Sequence, residues 1–354
     1  MNKQPFLYIR GLRKSEYTVF VVSDGQKKYF DPVFRVNVPF SSGQQVKRQI
    51  IETLLSILNK EPAPVTFYFD APKLQEREVT TPADPNYVDL LIGGWMVSLK
   101  GGETKTLKRR SPLSISALHP LHPLLSGLNN ENITFDRSDR PHIHKVIVRN
   151  DKGEILSEEE INKLLAGSDR SLSRKWIPDN TRASGLFVYD IAIDLRTLFC
   201  VSTNKLEPEL SPQMEEKLKS NGWIETKNVF GNCLLAPKEM RNEIINALAK
   251  ALINWRITSN QSRTFSLMET IAMAISDNAN KIAFSIRAEL SETTERPSAI
   301  PVIDETSGAN LFLTPLVSSI IPGFSGTADA LDKAEKFLIN YLNSFDYEKQ
   351  EFIN

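Results

Sequence analysis

Residues 185–195, GLFVYDIAIDL, decide the fold. Aromatic and β-branched residues fill the run, and Phe187, Tyr189, Ile191, Ile193 and Leu195 repeat with period two, which predicts a long strand burying one face. Its partners are sought first at the N-terminus. There FLYIRGL (6–12), YTVFVVS (17–23) and YFDPVFRVNV (29–38) read as strands, with a turn at Asp24-Gly25. Asp190 and Asp194 share a strand face about 13 Å apart. That is too far for two carboxylates to act on one bond, so they read as structural.

After Val38 the period changes. Val46, Ile50, Leu54 and Leu58 recur every four residues behind Ser41 and Ser42, which predicts a capped helix of about four turns. VTFYFD (65–70) is a further strand. From 93 to 183 regular patterning gives way to GGW, KGG, RRSP, HPLHP and DRSDRP, the signature of a large insertion, with a capping box at Ser157 and Glu160 inside it. Helices are expected over 212–220, 238–255, 264–276 and 327–345, and a strand over KIAFSIRAEL (281–290). This order suits an α+β class with a mainly antiparallel sheet, of ferredoxin-like or RNA-recognition-motif-like kind.

The 354 residues are 41% hydrophobic and 24% charged, which excludes a disordered or fibrous chain. Forty-three Lys and Arg balance 43 Asp and Glu, so no global field attracts a polyanion. Charge is segregated locally. Residues 100–110 hold five cations against one acid, and 137–149 and 170–182 four against one each, whereas 151–169 hold six acids against two lysines. Two cysteines, Cys200 and Cys233, are too few for a disulfide framework or a thiolate zinc site and fit a reducing compartment. Without an apolar export segment or an 18-residue apolar run, the expected address is the cytoplasm, with no membrane partner.

Two junctions combine cations with small polar residues. Ser41-Ser42-Gly43-Gln44-Gln45-Val46-Lys47-Arg48 opens the first helix, where backbone amides can face a phosphate, although the same serines also serve as ordinary caps. Ser259 to Phe265 offers Asn260 and Gln261 for base edges or 2′-hydroxyls, Arg263 for a phosphate and Phe265 for stacking. All four histidines lie within 119–144. His142 and His144 point the same way if HIH is a strand, so an RNA-processing or metal-dependent phosphoesterase is the alternative reading, but no convergent acid completes a ligand set around them or around His119 and His122. No catalytic constellation, metal site or cofactor motif is identified.

Four segments, VFRVNVPFSSGQQVKRQIIETLL (33–55), RRSPLSISALHPLHPLL (109–125), SGLFVYDIAIDL (184–195) and SRTFSLMETIAMAISDNANKIAFSIRAEL (262–290), together resemble the DevR-type backbone subunit of type I CRISPR Cascade complexes, a branch of the RAMP superfamily. The resemblance implies a modified RNA-recognition-motif palm over 1–92 and 184–354, an inserted finger over 93–183, and a thumb within 196–236 or 296–323. It implies a non-catalytic protein without cofactor that polymerises with further copies of itself along a CRISPR RNA. Other Cascade subunits would be its partners, with target DNA engaged by way of the guide. RNA contacts are then expected from Arg35, from Ser41, Ser42, Gly43, Gln44, Gln45, Lys47 and Arg48 as a helix-start clamp, from Lys108, Arg109, Arg110, Ser111, His142, His144 and Lys145 in the finger, and from Asn260, Gln261, Ser262 and Arg263 in the palm. The glycine-rich loop of many RAMP proteins has only IPGFSG (321–326) as a counterpart.

Overall fold

A computed structural model describes residues 3–21, 25–70, 73–97, 106–130, 147–164, 166, 181–258, 265–291 and 297–353. The chain is an α+β protein whose main sheet is antiparallel. Its first strand, β1 (Phe6–Thr18), is followed by a hairpin of β2 (Lys28–Asp31) and β3 (Val36–Pro39), and by α1 (Gly43–Leu58). A second hairpin, β4 (Thr66–Asp70) with β5 (Lys73–Thr80), precedes α2 (Val88–Gly93), and β6 (Trp95–Val97) pairs with β7 (Leu107–Arg109). Short strands β8 (Leu113–Ile115), β9 (His119–Pro120) and β10 (Ser126–Asn130) lead to α3 (Glu158–Leu164) and to β11 (Thr181–Asp194).

The strand expected at 185–195 is β11, and it runs antiparallel to β1 in a register that sets Phe6 opposite Asp194 and Arg10 opposite Asp190. Tyr189 faces Gly11, where a Cβ would sit 2.4 Å from the tyrosine ring. Only glycine lets that ring cross β1 to reach Trp255. The N-terminal segments differ from expectation: β1 is one continuous strand through Thr18, and the residues after it leave the sheet, with Phe20 buried edge-on against Phe187.

Beyond β11 come α4 (Leu195–Leu198), β12 (Cys200–Ser202), α5 (Pro212–Ser220), β13 (Ile224–Asn228), β14 (Gly231–Leu235) and α6 (Lys238–Asn254). Then follow β15 (Glu269–Ser276), α7 (Ala279–Ser285), β16 (Ile286–Ser291), β17 (Ser298–Ile303), β18 (Asn310–Leu313), α8 (Val317–Ile320) and α9 (Ala330–Asn343). The long strands are ordered β11-β1-β15-β18, and β12-β14-β13 form a separate three-stranded sheet.

Two sequence expectations are corrected here. The helix read over 264–276 is β15, which lies between β1 and β18 and is buried from Thr270 to Ser276. A strand covered on both sides has no polar face, and periodicity cannot tell it from a buried helix. The strand read over 281–290 is α7 followed by β16, because the Asn278 side chain accepts from Asn280 and Lys281 N–H and starts a helical turn.

One face of the sheet buries Leu7, Ile9, Phe187, Tyr189 and Ile275 against Val46, Ile50 and Leu54 of α1, the apolar stripe of α6, and Leu338 and Leu342 of α9. On the opposite face, Leu12, Ala272 and Ala274 pack with Ile282 of α7 and Val317 of α8. Arg13 is wholly buried: it donates to Trp255 O and Ile253 O at the C-terminal end of α6, and its guanidinium lies 4.1 Å from the Trp255 ring. The negative end of the helix and the ring face compensate its charge. Burial lowers its pKa, and Arg13 in turn helps burial push Arg256 down to about 10.

The chain divides into one unit of residues 1–128 and 183–354 and a second of 129–182, so β7, β8 and β9 belong to the larger unit although they fall within the 93–183 insertion read from the sequence. In the smaller unit, α3 opens on the expected capping box: Glu160 accepts from Ser157 N–H at 2.8 Å, and Glu160 N–H donates to Ser157 Oγ at 3.3 Å. The bonds that the Ser157 N–H and hydroxyl donate to its carboxylate lower the Glu160 pKa. Among the described residues, no helix is long and apolar enough to cross a membrane.

Candidate nucleic-acid interface

Alternation along β1 sends Leu7 and Ile9 into the core and leaves Phe6, Tyr8 and Arg10 half-buried on the other face. The register places them beside Asp194, Ala192 and Asp190 of β11, and Ser114 of β8 lies opposite Ala192. α7 flanks this part of the face, with Arg10 reaching the Ala283 carbonyl. Two clefts open on it, of about 740 and 480 Å3, and they share Ser114 and Ala192. Together they form one trough over the sheet.

An aromatic and cationic column links Tyr8, Phe6 and Phe230, which line the trough, through Arg196, which borders neither cleft. Tyr8 and Phe6 stack with centroids 5.8 Å apart, and the Arg196 guanidinium lies 4.9 Å from the Phe6 ring and 4.9 Å from the Phe230 ring. Asp194 holds Arg196 by a two-point ion pair at 2.8 and 2.9 Å, which raises the arginine pKa further. Phe230 occupies the β13–β14 turn: its N–H donates to Asn228 Oδ1, the Asn228 amide donates to Arg196 O, and the ring is 61% exposed. Trp223, just before β13, is a core residue that donates to Asn86.

At the other cleft, Arg10 and Asp190 form a two-point ion pair at 2.7 and 2.9 Å, and Arg10 also donates to Ala283 O and Ile286 O. The two aspartates are structural, as the sequence suggested. Each neutralises an arginine that would otherwise be free to bind an anion.

Lys108, Arg109, Arg110 and Ser111 all border the larger cleft, in different roles. Strand alternation in β7 exposes Lys108 and turns Arg109 inward, and Arg110 is exposed again. Arg109 donates to Leu91 O, to Thr197 O at 2.9 Å and to Cys200 O at 3.1 Å, and it faces the Trp95 ring, so its guanidinium serves the fold. Burial lowers its pKa and raises that of Glu209, 4.0 Å away. Ser111 Oγ bonds Ile92 O at 2.7 Å.

The helix-start residues border neither cleft. Ser41 is buried and donates to Phe20 O, and Ser42 caps α1 by accepting from Gln45 N–H. At Gly43 a Cβ would meet Ile115 O at 2.6 Å, so glycine there serves close packing of α1 on the end of β8. Gln44 is exposed, Gln45 half-buried, and Arg48 pairs with Glu52 one turn on. Lys47 donates to Gly93 O at 3.1 Å; burial, aided by the Arg109 charge, pushes its ammonium down to about 8. Arg35 is exposed in the β2–β3 turn with φ 55.

His142, His144, Lys145, Asn260, Gln261, Ser262 and Arg263 lie outside the described residues. His119 bonds Pro120 O, and His122 accepts from Leu124 N–H while packing edge-on to Phe34. Sequence reasoning missed Phe6, Tyr8, Arg10 and Arg196 as site residues. Period-two alternation in FLYIRGL was the signal that could have found the first three.

No family model matches the chain, and no curated protein matches it. Among solved structures, it is similar to a chain of a "CRISPR RNA-guided surveillance complex" at 11% identity and a TM-score of 0.37, covering 96% of this chain and 84% of that one. It is also similar to a chain of a "CRISPR RNA-guided surveillance complex, pre-nicking" at 11% identity and a TM-score of 0.35, covering 76% and 75%.

Proposed function

We propose that this protein is a guide-RNA-binding backbone subunit of a type I CRISPR Cascade complex, and that the trough over the sheet holds single-stranded RNA. The observation that carries the RNA-binding reading is the Tyr8–Phe6–Arg196–Phe230 column with Lys108 and Arg110 at its side. Aromatic faces stack unpaired bases whatever their sequence, and flanking cations follow the phosphates. The Cascade assignment comes from the four sequence segments that resemble the family. On this reading the protein is not an enzyme, the β13–β14 hairpin with Phe230 at its turn is the thumb, residues 93–183 are the finger, and further copies continue along the same guide, leaving bases to pair with target DNA.

Coexpression with a CRISPR array, followed by purification and extraction of bound nucleic acid, tests this. RNA of uniform length is expected with the wild type, and a Lys108→Glu, Arg110→Glu double variant is expected to retain less than about a tenth of it while staying folded. Full retention by the folded double variant would overturn the trough as the RNA site, and the absence of RNA from the wild-type particle would overturn the guide-binding assignment.

A further inference from the structure

The β2–β3 hairpin stands apart from the main sheet as a two-stranded ribbon. Its base is fixed by Gln26, which accepts from Phe20 N–H and donates to Lys27 O at 2.8 Å and Phe40 O at 3.0 Å. One face packs inward through Val38 and the edge-on Tyr29–Phe40 pair. The register sets Phe30 opposite Asn37, and Lys28 lies two residues before Phe30, so these three share the other face. Phe40 N–H donates to Lys27 O, and alternation from that bond makes Phe30–Asn37 a non-hydrogen-bonded pair, the closer kind, with Cβ atoms about 4.5–5.5 Å apart. An aromatic ring that is 57% exposed thus stands beside an exposed amide.

Charge on the ribbon is uncompensated. Lys27, Lys28 and Arg35 are exposed, and none has an ion-pair partner among the described residues, unlike Arg10, Arg48 and Arg196. Asp31, the one acid of the hairpin, is committed to the turn, where it accepts from Val33 and Phe34 N–H at 3.0 and 2.8 Å. Arg35 sits in that turn at φ 55, which glycine or asparagine adopts more readily, so a cation is kept there at a conformational cost. Along the ribbon Lys28 lies on the base side of Phe30 and Arg35 on the turn side. None of these residues borders either cleft of the trough.

We propose that the outer face of this hairpin is a second binding site for single-stranded nucleic acid, in which Phe30 stacks a base, Asn37 hydrogen-bonds the edge of that base, and Lys28 and Arg35 hold the phosphates on either side. A free ring between two free cations suits a base between two phosphodiesters, whereas an acidic peptide would give the ring and the amide no planar partner. None of these contacts reads the 2′ position of the sugar, so RNA and DNA bind alike. The site does not depend on what the trough holds.

Fluorescence anisotropy with labelled dT and rU oligomers of about 15 nucleotides tests this on the full-length protein carrying Lys108→Glu and Arg110→Glu, which takes the trough's cations out of the measurement. Both oligomers are expected to bind, within about threefold of each other. Phe30→Ser should weaken binding at least about fivefold with the salt slope unchanged, and Phe30→Trp should retain it. Lys28→Gln with Arg35→Asn should lower the slope of log affinity against log salt by about 1.4. These positions are exposed, and asparagine tolerates the backbone conformation at 35, so the variants fold. Oligomers that do not bind, binding unchanged by Phe30→Ser or by the charge variant, or a preference for one sugar of about tenfold or more would each overturn the hairpin site. The trough reading stands or falls separately, on RNA retention by the Lys108→Glu, Arg110→Glu variant with the hairpin intact.

Discussion

Arg109 donates to three backbone carbonyls from inside the protein, while Lys108 beside it points to solvent. Arg109→Ala strands those acceptors and is expected to cost about 3 kcal/mol in urea denaturation, whereas Lys108→Ala should stay within about 0.5 kcal/mol. Lys47 gives a signature in pH. Its folded pKa is depressed to about 8, below the unfolded value near 10.4, so between those values the unfolded chain holds more protons and stability rises with pH. Measured against Lys47→Met at pH 7 and pH 10.5, the wild type should gain about 1 kcal/mol, a figure discounted for the partial exposure of the amine. A flat difference would remove the burial argument for this residue. The sequence shows the Lys-Arg-Arg cluster plainly, but the division of labour within it depends on which side of β7 faces Leu91, and no local pattern announces that.

The start of α1 is an element whose sequence can be read for two purposes. Ser42→Ala removes the cap and should cost about 1 kcal/mol. Gly43→Ala drives a methyl toward Ile115 O and should cost about 2 kcal/mol, against the small gain that alanine brings to an unencumbered helix. Thermal denaturation of the two variants separates them. α1, α5, α6 and α9 were legible because apolar residues recur every three to four positions, joined in α1 and α5 by a serine cap, and β11 because a half-buried strand alternates. β15 was not, since ETIAMAIS is covered on both sides and presents only hydrophobicity. α7 was hidden by its Ile, Phe and Ile spacing, which mimics alternation until the Asn278 cap overrides it.

At the scale of the whole molecule, neutral net charge and a binding trough are compatible because Arg10 and Arg196 are matched by Asp190 and Asp194, leaving Lys108 and Arg110 as the exposed cations among the described residues that line the trough. Removing both should therefore lower the slope of log affinity against log salt by about 1.4 for single-stranded RNA, whereas Phe230→Ala should weaken binding by about 1–3 kcal/mol with the slope unchanged. Fluorescence anisotropy across a salt series reads both, and equal slopes for the charge variant and the wild type would dissociate the rim from the phosphates. The topology also sets a timetable for synthesis. β1 is translated well before its neighbours in the sheet, β11 and β15, which begin at Thr181 and Glu269. At roughly 5–20 residues per second, the N-terminal strand waits on the order of 20 s for its second neighbour to emerge. During that interval Leu7, Ile9 and Leu12 have no sheet to join, and the nascent chain depends on chaperones or on its own early helices to keep that edge from a wrong partner.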